Sequence, residues 1–273
     1  MERGTVKTSD IFNALESMRQ SQPLIHHITN WVSINDCAQI TRHWGCLPVM
    51  AHSIDEVAEM ARLSGALVLN IGTLTVELVD AMIAAGQAAN EKGIPVVLDA
   101  VGVGATSLRT RKAQEILRNV KVGILKGNAG EIGVLAGLDA EVKGVEAISV
   151  AGDIVSASRS LAGKTGAIVV VTGSTDYISD TANTWAVSRG HEIMGRVVGT
   201  GCISSSTVGC FAAVCQDAFR STALAMTAFA IAGEQAAMRC KGPGDFIQAL
   251  FNTIPELANL LPAEEDLNGV EAL

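Results

Sequence analysis

The chain of 273 residues reads as an α/β protein, with a mostly parallel central sheet, helices on both faces and a helical C-terminal third. Three observations predict this. Short runs of Val, Ile, Leu and Ala alternate with longer segments of helical period over the first two thirds. Those runs are apolar on both faces, as strands held between two helix layers must be. Beyond residue 200 the apolar period is helical almost throughout.

Composition agrees. The sequence is 48% hydrophobic but only 4% aromatic, so its core is built from aliphatic residues, which excludes disorder. A net charge of −8 and no basic stripe argue against a nucleic-acid partner. An anionic ligand must then be held by local N–H groups and a few cations. The cysteines form no CxxC pair, and residues 1–20 are polar and amphipathic, so the thiols are expected to be reduced, in a cytoplasm. The most apolar stretch, 223–238, carries Glu234 and Gln235 and is short for a bilayer span, so no membrane is expected. With no repeat or linker, residues 1–273 are expected to form one domain.

Residues 10–19 carry Ile11, Leu15 and Met18 at helical spacing and open the chain with a helix. Pro23 leads into a strand over 24–29 that ends at Asn30. Its adjacent histidines, His26 and His27, point to opposite faces and cannot chelate one metal together. Ser33 is placed to cap a helix running to His43, and 47–51 is the next strand. Ser53-Ile54-Asp55-Glu56 has the capping-box pattern that opens a helix, which Gly65 closes. Residues 66–71 form a strand buried on both faces, 75–91 a helix ended by Gly93, and 95–99 another buried strand.

The alternation continues with a helix over 110–118 and a strand over 122–126. Asn128 caps a short helix over 129–136, and a helix over 153–162 precedes a strand over 167–172. Residues 177–178 and 184–187 read as antiparallel edge strands. Helices over 202–215, 220–239 and from 245 onward complete the chain.

Two motifs mislead. Gly163-Lys164-Thr165 imitates the end of a P-loop, but Ser158 stands where its first glycine belongs, and the triplet precedes a strand instead of following one. Gly102-Val103-Gly104 lacks the third glycine of a dinucleotide fingerprint, which is Ser107.

In a sheet of this kind ligands bind beyond the carboxyl ends of the strands. That rule selects Asn30, Met50, Asn70 with Gly72-Thr73, Asp99, Lys126-Gly127-Asn128, Thr172-Gly173 and the turn Gly199-Thr200-Gly201-Cys202. The two glycines of this turn let the backbone approach a bulky group and aim N–H donors at it, and the helix that follows adds its own donors and dipole. Cys202 falls at the helix N-terminus, a position that favours a thiolate. The plainer alternative is a tight turn beside a small buried hydrophobe. Asp99 and Glu131 suit Mg2+, directly or through water, and Lys126 suits phosphate oxygens. Each has an ordinary alternative: a turn or cap for Asp99, a solvated surface lysine, and a first-turn dipole partner for Glu131. Together they point to phosphoryl transfer.

The residues that carry a family resemblance run in order from 27 to 244: His27-Ile28-Thr29-Asn30, Pro48-Val49-Met50-Ala51, Asn70-Ile71-Gly72-Thr73, Asp99 with Val101-Gly102-Val103-Gly104-Ala105, Lys126-Gly127-Asn128-Ala129 with Glu131, Lys143-Gly144-Val145, Val171-Thr172-Gly173, Val198-Gly199-Thr200-Gly201-Cys202 and Lys241-Gly242-Pro243-Gly244. The chain resembles the hydroxyethylthiazole kinases, enzymes of the ribokinase-like fold in thiamine biosynthesis and salvage. The resemblance implies ATP- and Mg2+-dependent phosphorylation of the primary alcohol of 4-methyl-5-(2-hydroxyethyl)thiazole. By the same resemblance Met50 and Gly199 contact the thiazole, Lys126 and Thr172 contact ATP, and Asp99 and Glu131 lie near Mg2+. Cys202 stands where most ribokinase-like enzymes carry the Asp that acts as general base. The family's homotrimer, with sites between subunits, would bring Asn30 of one chain towards Met50 of another. One departure is Ala100, where the family usually has Pro, which leaves the turn holding Asp99 less constrained. Another is the segment from Trp31 to Gly45, unlike the family's usual Ala- and Leu-rich one. The rival readings are another vitamin-precursor kinase of this fold and a non-catalytic binding protein.

Overall fold

The apolar runs become the strands β1 (Leu24–Ile28), β2 (Leu47–Val49), β3 (Ala66–Asn70), β4 (Val96–Asp99), β5 (Ile124–Asn128), β6 (Ile168–Thr172), β7 (Asp176–Ser179), β8 (Thr184–Val187) and β9 (Val270–Ala272). The helices are α1 (Thr8–Ser21), α2 (Ile34–His43), α3 (Val57–Leu63), α4 (Val76–Lys92), α5 (Ser107–Asn119), α6 (Ala129–Ala136), α7 (Ile154–Thr165), α8 (Thr200–Val214), α9 (Ala218–Arg239), α10 (Phe246–Thr253) and the single turn α11 (Leu257–Leu260). The computed structural model describes residues 6–138, 154–261 and 267–273. Asp153 and the Lys143-Gly144-Val145 segment of the resemblance lie outside them.

One sheet of nine strands runs β2-β1-β3-β4-β5-β6-β7-β8-β9. The pairings from β2 to β6 are parallel, and those from β6 to β9 antiparallel. Strand parity sorts the core into two layers. Ala66 and Val68 of β3, Val97 of β4 and Val170 of β6 face the layer of α1, α2, α8, α9 and α10. Leu67, Leu69, Leu98 and Val169 face the layer of α4, α5 and their neighbours. The expected helices on both faces are therefore present.

Helix α8 is apolar or small on every side and buried from Ile203 to Ala212, so it is the interior helix of its layer. Gly209 permits this: a Cβ there would lie 2.5 Å from Val68 Cγ2. Trp44, from the segment unlike the family's, is buried against α8, with its ring edge-on to Phe211 and its Nε1–H donating to Thr207 Oγ1 at 2.9 Å.

Several boundaries differ from the sequence expectation. Ser53 does not open a helix: it starts a turn through its carbonyl, which accepts from Glu56 and Val57, and α3 begins at Val57. Ser33 is the N-cap of α2 by position, without a side-chain cap bond, because its hydroxyl donates to Asn30 Oδ1. Strand β8 is not an edge, since β9 pairs with it. Three apolar-polar residues near the C-terminus carry too little periodicity to be read as a strand.

Candidate active site

The strand order reverses between β1 and β3, because β2 lies on one side of β1 and β3 to β6 on the other. At such a switch point the loops leaving neighbouring strands diverge and open a crevice. Asn30 follows β1 and Asn70 ends β3, so this crevice is where two of the selected residues sit. Register does the rest. Asn70 pairs with Asp99, Asp99 with Lys126, and Asn128 with Thr172 along the carboxyl edge. Parity turns Asn70, Asp99 and Lys126 towards α8, two residues beyond Val68, Val97 and Ile124.

The start of α8 closes the crevice. Gly199 is its N-cap with φ +95°, a conformation side chains rarely adopt. Ile203 N–H donates the first helical bond, to Gly199 O at 2.9 Å. The N–H groups of Thr200, Gly201 and Cys202 therefore lack helical partners and face outward as an anion-binding nest. Cys202 occupies the third helical position and is half-buried.

A polar chain joins this turn to the sheet. Asn30 Nδ2 donates to Cys202 Sγ at 3.2 Å and to Asn70 Oδ1 at 3.0 Å. Asn70 Nδ2 donates to Asp99 Oδ2 at 3.0 Å, and Ser205 Oγ donates to the same oxygen at 2.8 Å. Lys126 Nζ donates to Gly201 O at 2.9 Å and lies 3.6 Å from Asp99 Oδ2. Lys126 is therefore not a solvated surface lysine. It is buried beneath the first turn of α8, where a carboxylate and a carbonyl compensate its charge.

Glu131 is buried at the start of α6. Its Oε2 accepts from Asn128 N–H at 2.8 Å, which adds the reciprocal half of a capping box to the expected Asn128 cap. Its Oε1 accepts from Gly102 N–H at 2.7 Å, tying the loop after β4 to α6. Burial pushes its carboxyl upward, with the nearby charge of Asp99 adding and the two N–H donors and Lys126 opposing. The loop after Asp99 is held despite Ala100. Ala100 N–H donates to Lys126 O at 2.8 Å, a bond that proline cannot make. Arg109 clamps the same loop to Ile71 O, Gly72 O and Val101 O.

Thr172 lies beside the α6 cap, its hydroxyl donating to Gly127 O at 3.3 Å. Met50 is half-buried on the core that also packs against Cys202. It reaches the β1 loop through His52, whose Nδ1–H donates to Met50 O at 3.0 Å and whose Nε2 accepts from Thr29 N–H at 3.3 Å. The two adjacent histidines do part: His26 Nε2–H donates to Ala51 O, while His27 Nε2 accepts from Ser206 on α8. Burial holds His27 down at about 3, so it is neutral near neutral pH and is a packing residue.

Three residues of this edge escape a sequence reading. His52 and the exposed Trp31 stack with ring centroids 5.0 Å apart beside Met50. Asp176, at the start of β7, accepts from Gly173 N–H at 3.0 Å, and burial pushes its carboxyl up to about 6 against the opposing charge of Lys126. A short Gly-Ser-Thr-Asp turn gives no hint that its acid sits beside a buried lysine on β5.

For a divalent cation the donors are hard carboxylate oxygens. Both side-chain bonds to Asp99 use Oδ2, leaving Oδ1 for an ion or its water, and Glu131 keeps one lone pair on each oxygen. Among the described residues no three His, Cys, Asp or Glu side chains form a metal-holding cluster. That pattern fits Mg2+, which is bound by one or two carboxylates together with substrate phosphates. Among the described residues no helix is long and apolar enough to cross a membrane.

Comparison with known proteins shows the family. The family model described as the hydroxyethylthiazole kinase family matches residues 15–260. A hydroxyethylthiazole kinase of Methanocella arvoryzae is 51% identical over 243 residues, 89% of this chain and 91% of that protein. The structure of a hydroxyethylthiazole kinase from Pyrococcus horikoshii superposes with a TM-score of 0.86 at 39% identity, covering 97% of this chain and 99% of the other. A ribokinase-like superfamily protein from Enterococcus faecalis shares the fold alone, with a TM-score of 0.61 at 11% identity over 86% of this chain and 87% of the other. The chain belongs to the hydroxyethylthiazole kinase family.

Proposed function

We propose that the protein transfers the γ-phosphoryl group of ATP to the primary alcohol of 4-methyl-5-(2-hydroxyethyl)thiazole, in thiamine biosynthesis and salvage. The observation that carries this reading is the meeting of Cys202, the N–H nest of α8 and the Asp99–Lys126 pair at the switch-point crevice. The alcohol oxygen attacks the γ-phosphorus, the bond to the β,γ-bridging oxygen breaks, and ADP leaves. Asn30 donates an N–H hydrogen bond to the sulfur, so Sγ is held facing the incoming hydroxyl as an acceptor. Cys202 orients that hydroxyl and takes its proton late, because the phosphoryl transition state is loose and asks little of a base. The nest donors stabilise the equatorial oxygens, the role in which preorganised N–H groups contribute most.

Lys126 and Thr172 face the nucleotide, and Met50, Gly199 and Asn30 face the thiazole. Asp99 and Glu131 would hold Mg2+, which when bound neutralises charge on the phosphates. The proposed assembly is a homotrimer with sites between subunits, in the cytoplasm. In support, Trp31, Val32 and Val198 are large apolar side chains left exposed around the crevice.

ADP release tests the reading. Incubation with ATP, Mg2+ and hydroxyethylthiazole is expected to give thiazole-dependent ADP. Preference for a hydroxymethylpyrimidine or pyridoxal in an alcohol panel would instead favour another vitamin-precursor kinase, and tight thiazole binding without ADP would favour a binding protein.

A further inference from the structure

We infer that Asn70 is a positioning residue for the Cys202 sulfur, acting through Asn30 and anchored on Asp99; the inference rests on the kinase reading above. The orientations of both amides are set by backbone donors. Asn30 Oδ1 accepts from Val32 N–H at 3.1 Å and Ser33 N–H at 3.0 Å, so its Nδ2 must face the crevice. Asn70 Oδ1 accepts from Gly72 N–H at 2.9 Å, so its Nδ2 must face Asp99. Asn30 then has two N–H bonds to give: one goes to Asn70 Oδ1 and the other to Cys202 Sγ.

The pair is wedged as well as bonded. A Cβ at Gly72 would lie 3.0 Å from Asn70 Oδ1 and 3.1 Å from Asn30 Cβ, so a larger residue there would press on both amides. Asn30 and Asn70 are 3% and 1% exposed, and neither amide has water to replace a lost partner. Removing Asn70 takes away one of the two bonds that fix Nδ2, so the amide, still held at Oδ1, can tilt off the sulfur. Asp99 accepts from Asn70 and Ser205 on one oxygen, so the anchor is the same carboxylate that Lys126 faces. Through this chain the phosphate side of the crevice, on β4 and β5, sets the geometry of the hydroxyl side, on β1 and α8.

The test reads Cys202 without catalysis. Carboxamidomethylation by iodoacetamide is followed at near-neutral pH by mass spectrometry of the Cys202 peptide, in the full-length wild type, N30A, N70A, the double variant and N70D. Asn30→Ala and Asn70→Ala are each expected to slow labelling by about threefold or more, since a sulfur no longer held by its N–H donor is aimed less well at the crevice. The double variant is expected to label no slower than the slower single variant, because both act on one contact. Asn70→Asp keeps the acceptor for Asn30 and Gly72 but loses the donor to Asp99 and sets a second carboxylate against it, so it is expected to label at least as slowly as Asn70→Ala, while Cys215 and Cys240 label at wild-type rates in every variant, which separates positioning from misfolding. In the kinase assay Asn70→Ala is expected to lower kcat about tenfold or more with KM for ATP nearly constant. Wild-type labelling in N70A, or effects of N30A and N70A that multiply, would overturn the inference. Absence of ADP from wild type would defeat the kinase reading instead, and the labelling rates would still decide the role of Asn70.

Discussion

Lys126 Nζ lies 3.6 Å from Asp99 Oδ2, and both side chains are only 2% exposed. A buried pair of this kind is held by geometry, and removing one partner strands the other charge, typically at a cost of about 3–5 kcal/mol. Lys126→Ala is therefore expected to lose about that much stability in urea unfolding, and to raise KM for ATP. An unchanged KM in the folded variant removes Lys126 from the nucleotide site.

In the proposed reaction Cys202 acts late and shares its task with the nest of N–H groups. Cys202→Ala is expected to keep part of its activity, with kcat down on the order of 10²-fold, the low end for a general base. Cys202→Asp is expected to remain active, since a carboxylate at the same helical position also accepts a proton. A Cys202→Asp protein with a wild-type unfolding curve and no turnover refutes the base assignment.

Asp176 gives a pH dependence with a definite sign. Its carboxyl is raised to about 6 from an ordinary value near 3.8, so between those values the folded state holds a proton that the unfolded chain has lost. The proton's contribution to stability is present below about pH 4 and is lost as pH rises through about 6. Asp176→Asn keeps the acceptor for Gly173 N–H and removes the charge. It is expected to be more stable than wild type near pH 7.5 by on the order of 1 kcal/mol after solvent screening, and equal to it near pH 4. A stability difference independent of pH contradicts this account of Asp176.

Gly199 holds φ +95° at the N-cap of α8, with the place of a Cβ 3.3 Å from Ser33 Cβ. Gly199→Ala is expected to cost about 1–2 kcal/mol of stability. It is also expected to lower kcat, because the turn that aims the nest must shift. Thermal unfolding and turnover, measured together, check both.

Much of this site is legible in the sequence because strand-end position and parity are local properties. Asn70, Asp99 and Lys126 each fall at the end of an apolar run, and a parallel register then sets them side by side without further information, while Asn30 just beyond β1 reaches Asn70 by its side chain. The cap at Asn128 is likewise a local pattern and forms as read, while the structure adds the return bond from Glu131. What the sequence hides depends on partners far along the chain. The burial of Lys126 depends on the first turn of α8, 75 residues on, where its amine meets Gly201 O. The short strand β9 exists because β8 offers it an edge, not because its own three residues favour one. Ser53 failed as a cap for a similar reason: the capping pattern is shared with turns, and here the hydroxyl accepts from Asp55 N–H at 3.4 Å while the carbonyl accepts from Glu56 and Val57.

The central claim is that an alcohol attacks a γ-phosphate held by the first turn of α8, with Cys202 beside the attacking oxygen. A crystal structure with a non-hydrolysable ATP analogue and hydroxyethylthiazole tests it most directly. The account predicts the γ-phosphate on the N–H groups of Gly201 and Cys202, Lys126 and Thr172 on the nucleotide side, and the hydroxyl within hydrogen-bond reach of Sγ. A collapsed crevice, or phosphates bound away from α8 with the alcohol remote from Cys202, would contradict it.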